Sequence, residues 1–243
     1  MRSIEQIIDS QLERWAVERR AAEEAAKRGG RRSETPREVR PWIAISRDYG
    51  AGGSAIAESL AEQLGYELFD RKLLDALARE SRYRREFLAS VDEKGRSTLE
   101  AHVDALLHGE SFVRSDFLRY LMRVLMTIAE HGHAVVVGRG AAHVLPAEGG
   151  VTVRIVAPLE DRVQNVARRL ALPQVEARLR VHEVDRARAD FLRTHFHRAE
   201  WRPEDHDLTI CTSRIPHVEA VHLVESALIA RFPKEHRRLE KTG

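Results

Sequence analysis

Residues 42–65 read WIAISRDYGAGGSAIAESLAEQLG, and the order of elements in that stretch decides the fold. Trp42 to Ser46 is a short apolar strand. Ser54 to Leu64 is a helix with Ile56, Leu60 and Leu64 on one face, and Gly65 stops it. Between them lies a glycine-rich loop. In this order the loop amides and the first helical turn converge on one point, where the helix dipole favours an anion. Phosphate is the natural occupant, cradled by Gly50, Ala51, Gly52, Gly53 and Ser54.

Two motifs compete for these glycines. Gly50 to Ala55 satisfies the dinucleotide pattern G-x-G-x-x-A, and Asp70 follows at the end of the second strand, where a ribose-binding acid would sit. A dinucleotide loop begins almost directly after its strand, however, and here Arg47, Asp48 and Tyr49 intervene. That spacing belongs to the P-loop. Against G-x-x-x-x-G-K-[ST], the window from Arg47 to Ser54 keeps the second glycine as Gly52 and the hydroxyl as Ser54. Arg47 stands in place of the first glycine and Gly53 in place of the lysine. That lysine normally neutralises phosphate charge, so either an arginine substitutes or transfer is impaired. Arg47 and the arginines of a later helix are the available cations. A glycine-rich turn without a ligand is the bland alternative, but three glycines serve no packing need that one would not meet.

Outward from the loop, strands and helices alternate. Tyr66 to Phe69 is a second strand, and Ala134 to Val137 and Val151 to Val156 are apolar runs of the kind buried on both faces of a parallel sheet. A broad helical region covers about Arg71 to His131, with a turn near DEKGRS. Helices at Leu159 to Leu170, Val175 to Arg180 and Val184 to Phe196 precede a last strand, Leu208 to Cys211, and a helix from Pro216 to Arg231. About five strands separated by helices predict a doubly wound α/β fold with helices on both faces and a ligand at the carboxyl ends of the strands. Upstream, Ser3 to Gln6 offers a capping box, and Ile4, Ile8, Leu12 and Trp15 form an apolar stripe. This amphipathic helix and a charged linker make up residues 1–40, with the nucleotide-binding domain in 41–243. The helix packs on its own domain or on a second subunit.

Composition sets further bounds. With 43% hydrophobic and 32% charged residues, and no apolar stretch near the roughly 20 residues that span a bilayer, membrane insertion is not expected. The 40 basic and 38 acidic residues leave +2, too little to argue for nucleic acid. The N-terminus lacks a secretory pattern, so a cytoplasmic location is expected. The one cysteine, Cys211, reads as a buried strand thiol. His131-x-His133 and His195-x-His197 have no companion ligands at a recognised metal spacing. Trp201, Asp205 and Asp207 read as a loop returning to the last strand.

The loop segment ISRDYGAGGSAIA, then LGYELFDRKLL, VVVGRG, an arginine-rich helix after a strand and DLTICTSRI, taken in order, resemble the cytidylate kinases over about residues 42–232. The resemblance implies a P-loop kinase fold, ATP as phosphoryl donor, Mg²⁺ positioned by Ser54, and a nucleoside monophosphate as acceptor. It also implies that Asp70, Arg71 and Arg139 hold the acceptor. A mobile lid of arginines would be supplied by Arg162, Arg168 and Arg169, which do not share one helical face. The family's Arg-Asp-x-x-Asp-like segment is matched only in part by VDRARAD: Val184 takes the arginine position, and Asp185 and Arg188 are carried over. Residue by residue, Asp70 at a strand's carboxyl end is equally placed to cap the next helix. Arg139, between Gly138 and Gly140, is placed to grip a phosphate or to pair with a carboxylate. Three readings therefore stand: a nucleoside monophosphate kinase with CMP as a candidate acceptor, a nucleotide-binding regulator that has lost transfer, and a dinucleotide-dependent oxidoreductase.

Overall fold

A computed structural model describes residues 3–28, 40–91, 93–108, 115–197 and 202–235. Its centre is the apolar run that becomes β1 (Trp42–Arg47), whose alternate side chains face opposite ways: Trp42 and Ala44 enter one core, Ile43 and Ile45 the other. With both faces buried, β1 can sit only in the middle of a sheet. It does so, paired in parallel with β3 (Ala134–Val137) and β4 (Gly150–Val156) on either side, Ile45 opposite both Val137 and Val153. β2 (Glu67–Phe69) and β5 (Leu208–Cys211) complete a five-stranded parallel sheet in the order β2-β3-β1-β4-β5. The chain leaves β1 toward one edge and β4 toward the other, so a crevice opens beyond the carboxyl end of β1. Cys211 closes β5 half-buried.

The helices form two layers. α2 (Gly53–Leu64) and α10 (His217–Arg231) cover one face through Ile56, Leu60, Val221, Val224 and Leu228. On the other face lie α3 (Arg71–Arg79), α4 (Ser81–Ala89), α5 (Glu93–His108), α6 (Asp116–His131) and the short α7 (Ala141–Val144). The antiparallel pair α8 (Leu159–Leu170) and α9 (Gln174–Phe196) packs through Val163, Val166, Ala177 and Val181.

Two expectations change. The chain from Gln174 to Phe196 is one helix, not two: it contains no glycine or proline, and the buried Ala177 and Val181 seat it on α8 across the expected break. The turn expected at DEKGRS falls earlier, at Ser90 and Val91, where Ser90 Oγ donates to Phe87 O; α5 already begins at Glu93, and Gly95 is tolerated in its first turn.

The N-terminal helix α1 (Ile4–Arg28) packs on its own chain. Ile8 and Trp15 are buried in the same core as α3, α4 and α6, and Trp15 stacks on His131 with ring centroids 3.7 Å apart. The linker expected from Glu18 onward begins later, because α1 runs on to Arg28 through a stretch rich in alanine and glutamate that favours helix; residues 29–39 lie outside the described residues, as does Trp201. No described helix is long and apolar enough to cross a membrane.

Candidate active site

The glycine-rich loop is held open by its neighbours. Asp48 N–H donates to Ile155 O at 3.0 Å, prolonging the β1–β4 ladder by one residue, and the chain then turns at Tyr49 and Gly50. Gly52, at φ +80°, is the N-cap of α2 and has no side chain to plug the amides behind it. At Gly50, φ is +88° and a Cβ would lie 2.6 Å from Arg162 O, so α8 rests directly on the loop backbone. The result is a cavity of about 230 Å³ lined by Asp48, Tyr49, Gly50, Gly52, Gly53, Ser54 and Ala55, with Arg47, Asn165, Arg169 and Arg188 around it. Ala51 is not in it. That residue is buried and its carbonyl accepts from Thr212 Oγ1 at 2.9 Å, which ties the loop to the end of β5.

The α8–α9 pair clamps the loop from the other side. Arg162 donates from Nη1 to Tyr49 O at 3.3 Å and forms an ion pair with Asp185, whose Oδ1 accepts from Tyr49 N–H at 2.9 Å. Asn165 Nδ2 donates to Gly50 O at 3.0 Å, and Arg168 in turn holds Asn165 Oδ1 at 2.6 Å. Arg162, Arg168 and Asp185 thus meet loop backbone or a loop-binding side chain. Arg169 and Arg188 face the loop cavity, with their guanidinium carbons 5.2 and 5.6 Å from the Tyr49 ring centre.

A second, smaller cavity of about 80 Å³ opens between β1, β3 and α9. Five arginines line it: Arg47, Arg71, Arg139, Arg154 and Arg188, together with His143, Phe191 and Leu192. Arg139, at φ +53°, is held by a two-pronged pair with Asp75, Nε to Oδ1 at 2.6 Å, while its guanidinium lies 4.5 Å from the centre of the Phe191 ring. Arg154 pairs with Asp48. Asp70 caps α3 by accepting from Leu73 N–H at 2.9 Å and does not line this cavity.

Electrostatics follow from this crowding. Burial, then the neighbouring Arg188 and Arg71 charges, push the Arg47 guanidinium down to about 9, and its Nε is buried without a hydrogen-bond partner. Burial lowers Arg188 as well, although Asp185 opposes it. Burial raises the Asp48 carboxyl against the pull of Arg154 and Arg162. Asp75, Asp48 and Asp185 pair with Arg139, Arg154 and Arg188, and an anion entering between the cavities would relieve the repulsion that is left.

Several contributors were not singled out from sequence: Asp48, Asp75, Arg154, Asn165 and Thr212. Arg154 carried a signal, being the one charge inside the run Val151 to Val156. Asp75 carried none, since its partner is 64 positions away. The histidine pairs have structural neighbours: His131 bonds Ser90 Oγ at 2.8 Å, His133 lies 3.4 Å from Glu235, and His195 packs on Phe191.

A solved structure of an uncharacterized protein from Eubacterium ventriosum superimposes with a TM-score of 0.59 at 18% identity, covering 77% of this chain and 98% of that one. A shikimate kinase from Acinetobacter baumannii, solved in complex with shikimate, is 21% identical with a TM-score of 0.41, over 78% of this chain and 93% of that one. The first shows the fold, and the second aligns too loosely to add to it. No curated protein matches the chain. The profile of the cytidylate kinase-like family matches residues 42–214, all five strands of the sheet and both arginine-lined cavities included, and the chain belongs to that family.

Proposed function

We propose that the protein transfers a phosphoryl group from ATP to a nucleoside monophosphate, with CMP as the proposed acceptor. Family membership supports a nucleotide-dependent kinase in general. The observation that carries the finer reading is that Arg47 and Arg188 line both cavities, so the same two cations stand between the loop and the second pocket. In phosphoryl transfer the protein chiefly aligns donor and acceptor and neutralises charge. The amides from Gly50 to Ser54 would hold the donor phosphates, and Arg71 and Arg139 the acceptor phosphate. Asp70, exposed at the rim beside Arg71, would reach the acceptor's sugar or base. An acceptor phosphate oxygen attacks the γ-phosphorus as the bond to the β-bridging oxygen breaks, leaving ADP. Arg169 and Arg188 would stabilise the charge that spreads over the transferring group, while Arg162, Arg168 and Asp185 keep the loop in shape. Ser54, which lines the loop cavity, would hold Mg²⁺ through its hydroxyl oxygen, a hard donor, and the ion would supply further neutralisation.

A second reading, a nucleotide-binding regulator without transfer, is favoured by Gly53 at the lysine position. An oligomer through α1 would have to use its outward side, where Val17 is exposed. We place the chain in the cytoplasm, without nucleic-acid or membrane partners, and the domain boundary near residue 40. A thermal-shift panel of ATP, CMP, UMP, AMP and NAD tests the reading. Stabilisation by ATP and by a pyrimidine monophosphate is expected, whereas stabilisation by NAD alone would replace it with a dinucleotide enzyme.

A further inference from the structure

The window from Arg47 to Ser54 departs from the P-loop pattern at two positions, and in the folded chain those two positions touch. A Cβ added to Gly53 would lie 2.7 Å from Arg47 Cβ and 3.1 Å from Arg47 Cγ, closer than two side chains can pack. The Arg47 stem therefore occupies the space through which a lysine at 53 would leave the helix. The far end of the same side chain reaches the space above Gly138, where a Cβ would meet Arg47 Nη1 at 2.4 Å. Arg47 borders the loop cavity and the second cavity at once. We infer that the two departures are one compensated exchange: Arg47, at the end of β1, supplies the phosphate-neutralising charge that a lysine at 53 otherwise would, and Gly53 is glycine to make room for it.

The setting of Arg47 favours that role over a structural one. A structural arginine is held by carboxylates, as Arg162 is by Asp185. Arg47 instead has a buried Nε with no hydrogen-bond partner, and Arg188, Arg71 and Arg139 around it outnumber Asp70, the one carboxylate acting on its charge. Such a cation weakens the empty protein and becomes useful only when an oligophosphate enters.

The inference rests on the nucleotide reading above, and the test separates the two. Arg47→Gly and Gly53→Lys, made singly and together, are measured for ADP formation and for calorimetric binding of inorganic tripolyphosphate; the double exchange restores the full G-x-x-x-x-G-K-S pattern. Arg47→Gly is expected to lose about 100-fold or more in kcat, as when one transition-state donor is removed. Gly53→Lys alone should lose activity and melt lower, because its side chain collides with the Arg47 stem. The double variant should regain most of both losses. Arg47→Met, which keeps the stem and removes the charge, should bind tripolyphosphate at least tenfold more weakly while melting no lower than wild type. Wild-type kcat and affinity in Arg47→Gly, or a double variant no better than the worse single one, would overturn the exchange and leave the kinase reading intact. Wild-type protein that binds neither ATP nor tripolyphosphate would remove both.

Discussion

Arg162 and Asp185, 23 residues apart on the two helices of the α8–α9 pair and paired with each other, both hold the backbone of Tyr49, one donating to its carbonyl and the other accepting from its N–H. The phosphate loop is thereby shaped by groups that never need to touch a ligand. Asp185→Ala leaves the largely buried Arg162 guanidinium without its carboxylate and should destabilise the protein by about 2–4 kcal/mol. The melting temperature should fall by roughly 5–12 °C. An unchanged melting temperature would show that the clamp contributes nothing.

Gly50 and Gly52 share a positive φ yet differ in surroundings. At Gly52 nothing lies within 4 Å of an added Cβ, so Gly52→Ala should cost only the left-handed strain of about 1–2 kcal/mol. At Gly50 the added carbon would meet the Arg162 carbonyl, and Gly50→Ala should cost at least about twice as much, since α8 must shift as well. Denaturant unfolding of the two variants gives the ranking directly.

Arg139, on the wall of the second cavity, forms a directional pair with Asp75. A double-mutant cycle with Arg139→Ala and Asp75→Ala should give a coupling of about 1–3 kcal/mol. Arg139→Ala should raise the KM for the monophosphate more than it lowers kcat, while Asp75→Asn should act mainly on stability. Equal effects of both variants on KM would mean that Asp75 contacts the acceptor itself.

Much of the fold was legible because its signals are local. The continuous apolar run of Trp42 to Ile45, the three glycines after it and the runs at Val135 and Val153 each report on their own neighbourhood, and five parallel strands follow from them. The continuity of α9 was less visible, because the polar residues around His182 look like a break until Val181 is seen packed on α8. Partnerships were invisible. Nothing in VDRARAD says that Asp185 reaches Tyr49, 136 positions earlier, and nothing in RKLLDALAR says that Asp75 meets Arg139. Asp70 shows a further difficulty: capping and ligand binding demand the same residue type at the same place, so the residue alone cannot choose between them.

His206 gives a pH signature. Burial, then Arg154, push its imidazole down to about 4 in the folded chain, whereas the unfolded chain takes up the proton near 6.5. Between those values only the unfolded state binds the proton, so stability is full above about pH 6.5 and declines as pH falls toward 4. Melting curves from pH 7 to pH 4.5 should show this decline, and His206→Gln should flatten it. A His206→Gln slope equal to wild type would place the sensitivity elsewhere.

Arg47 and Arg188 border both cavities, and a coupled assay of ADP release tests whether a phosphoryl donor and its acceptor meet across them. With ATP and Mg²⁺, folded protein should turn over on addition of a pyrimidine nucleoside monophosphate, CMP first, and Arg188→Ala should lose about 100-fold or more. No ADP above the ATP-only background with any nucleoside monophosphate, from protein that melts cooperatively, would contradict the account.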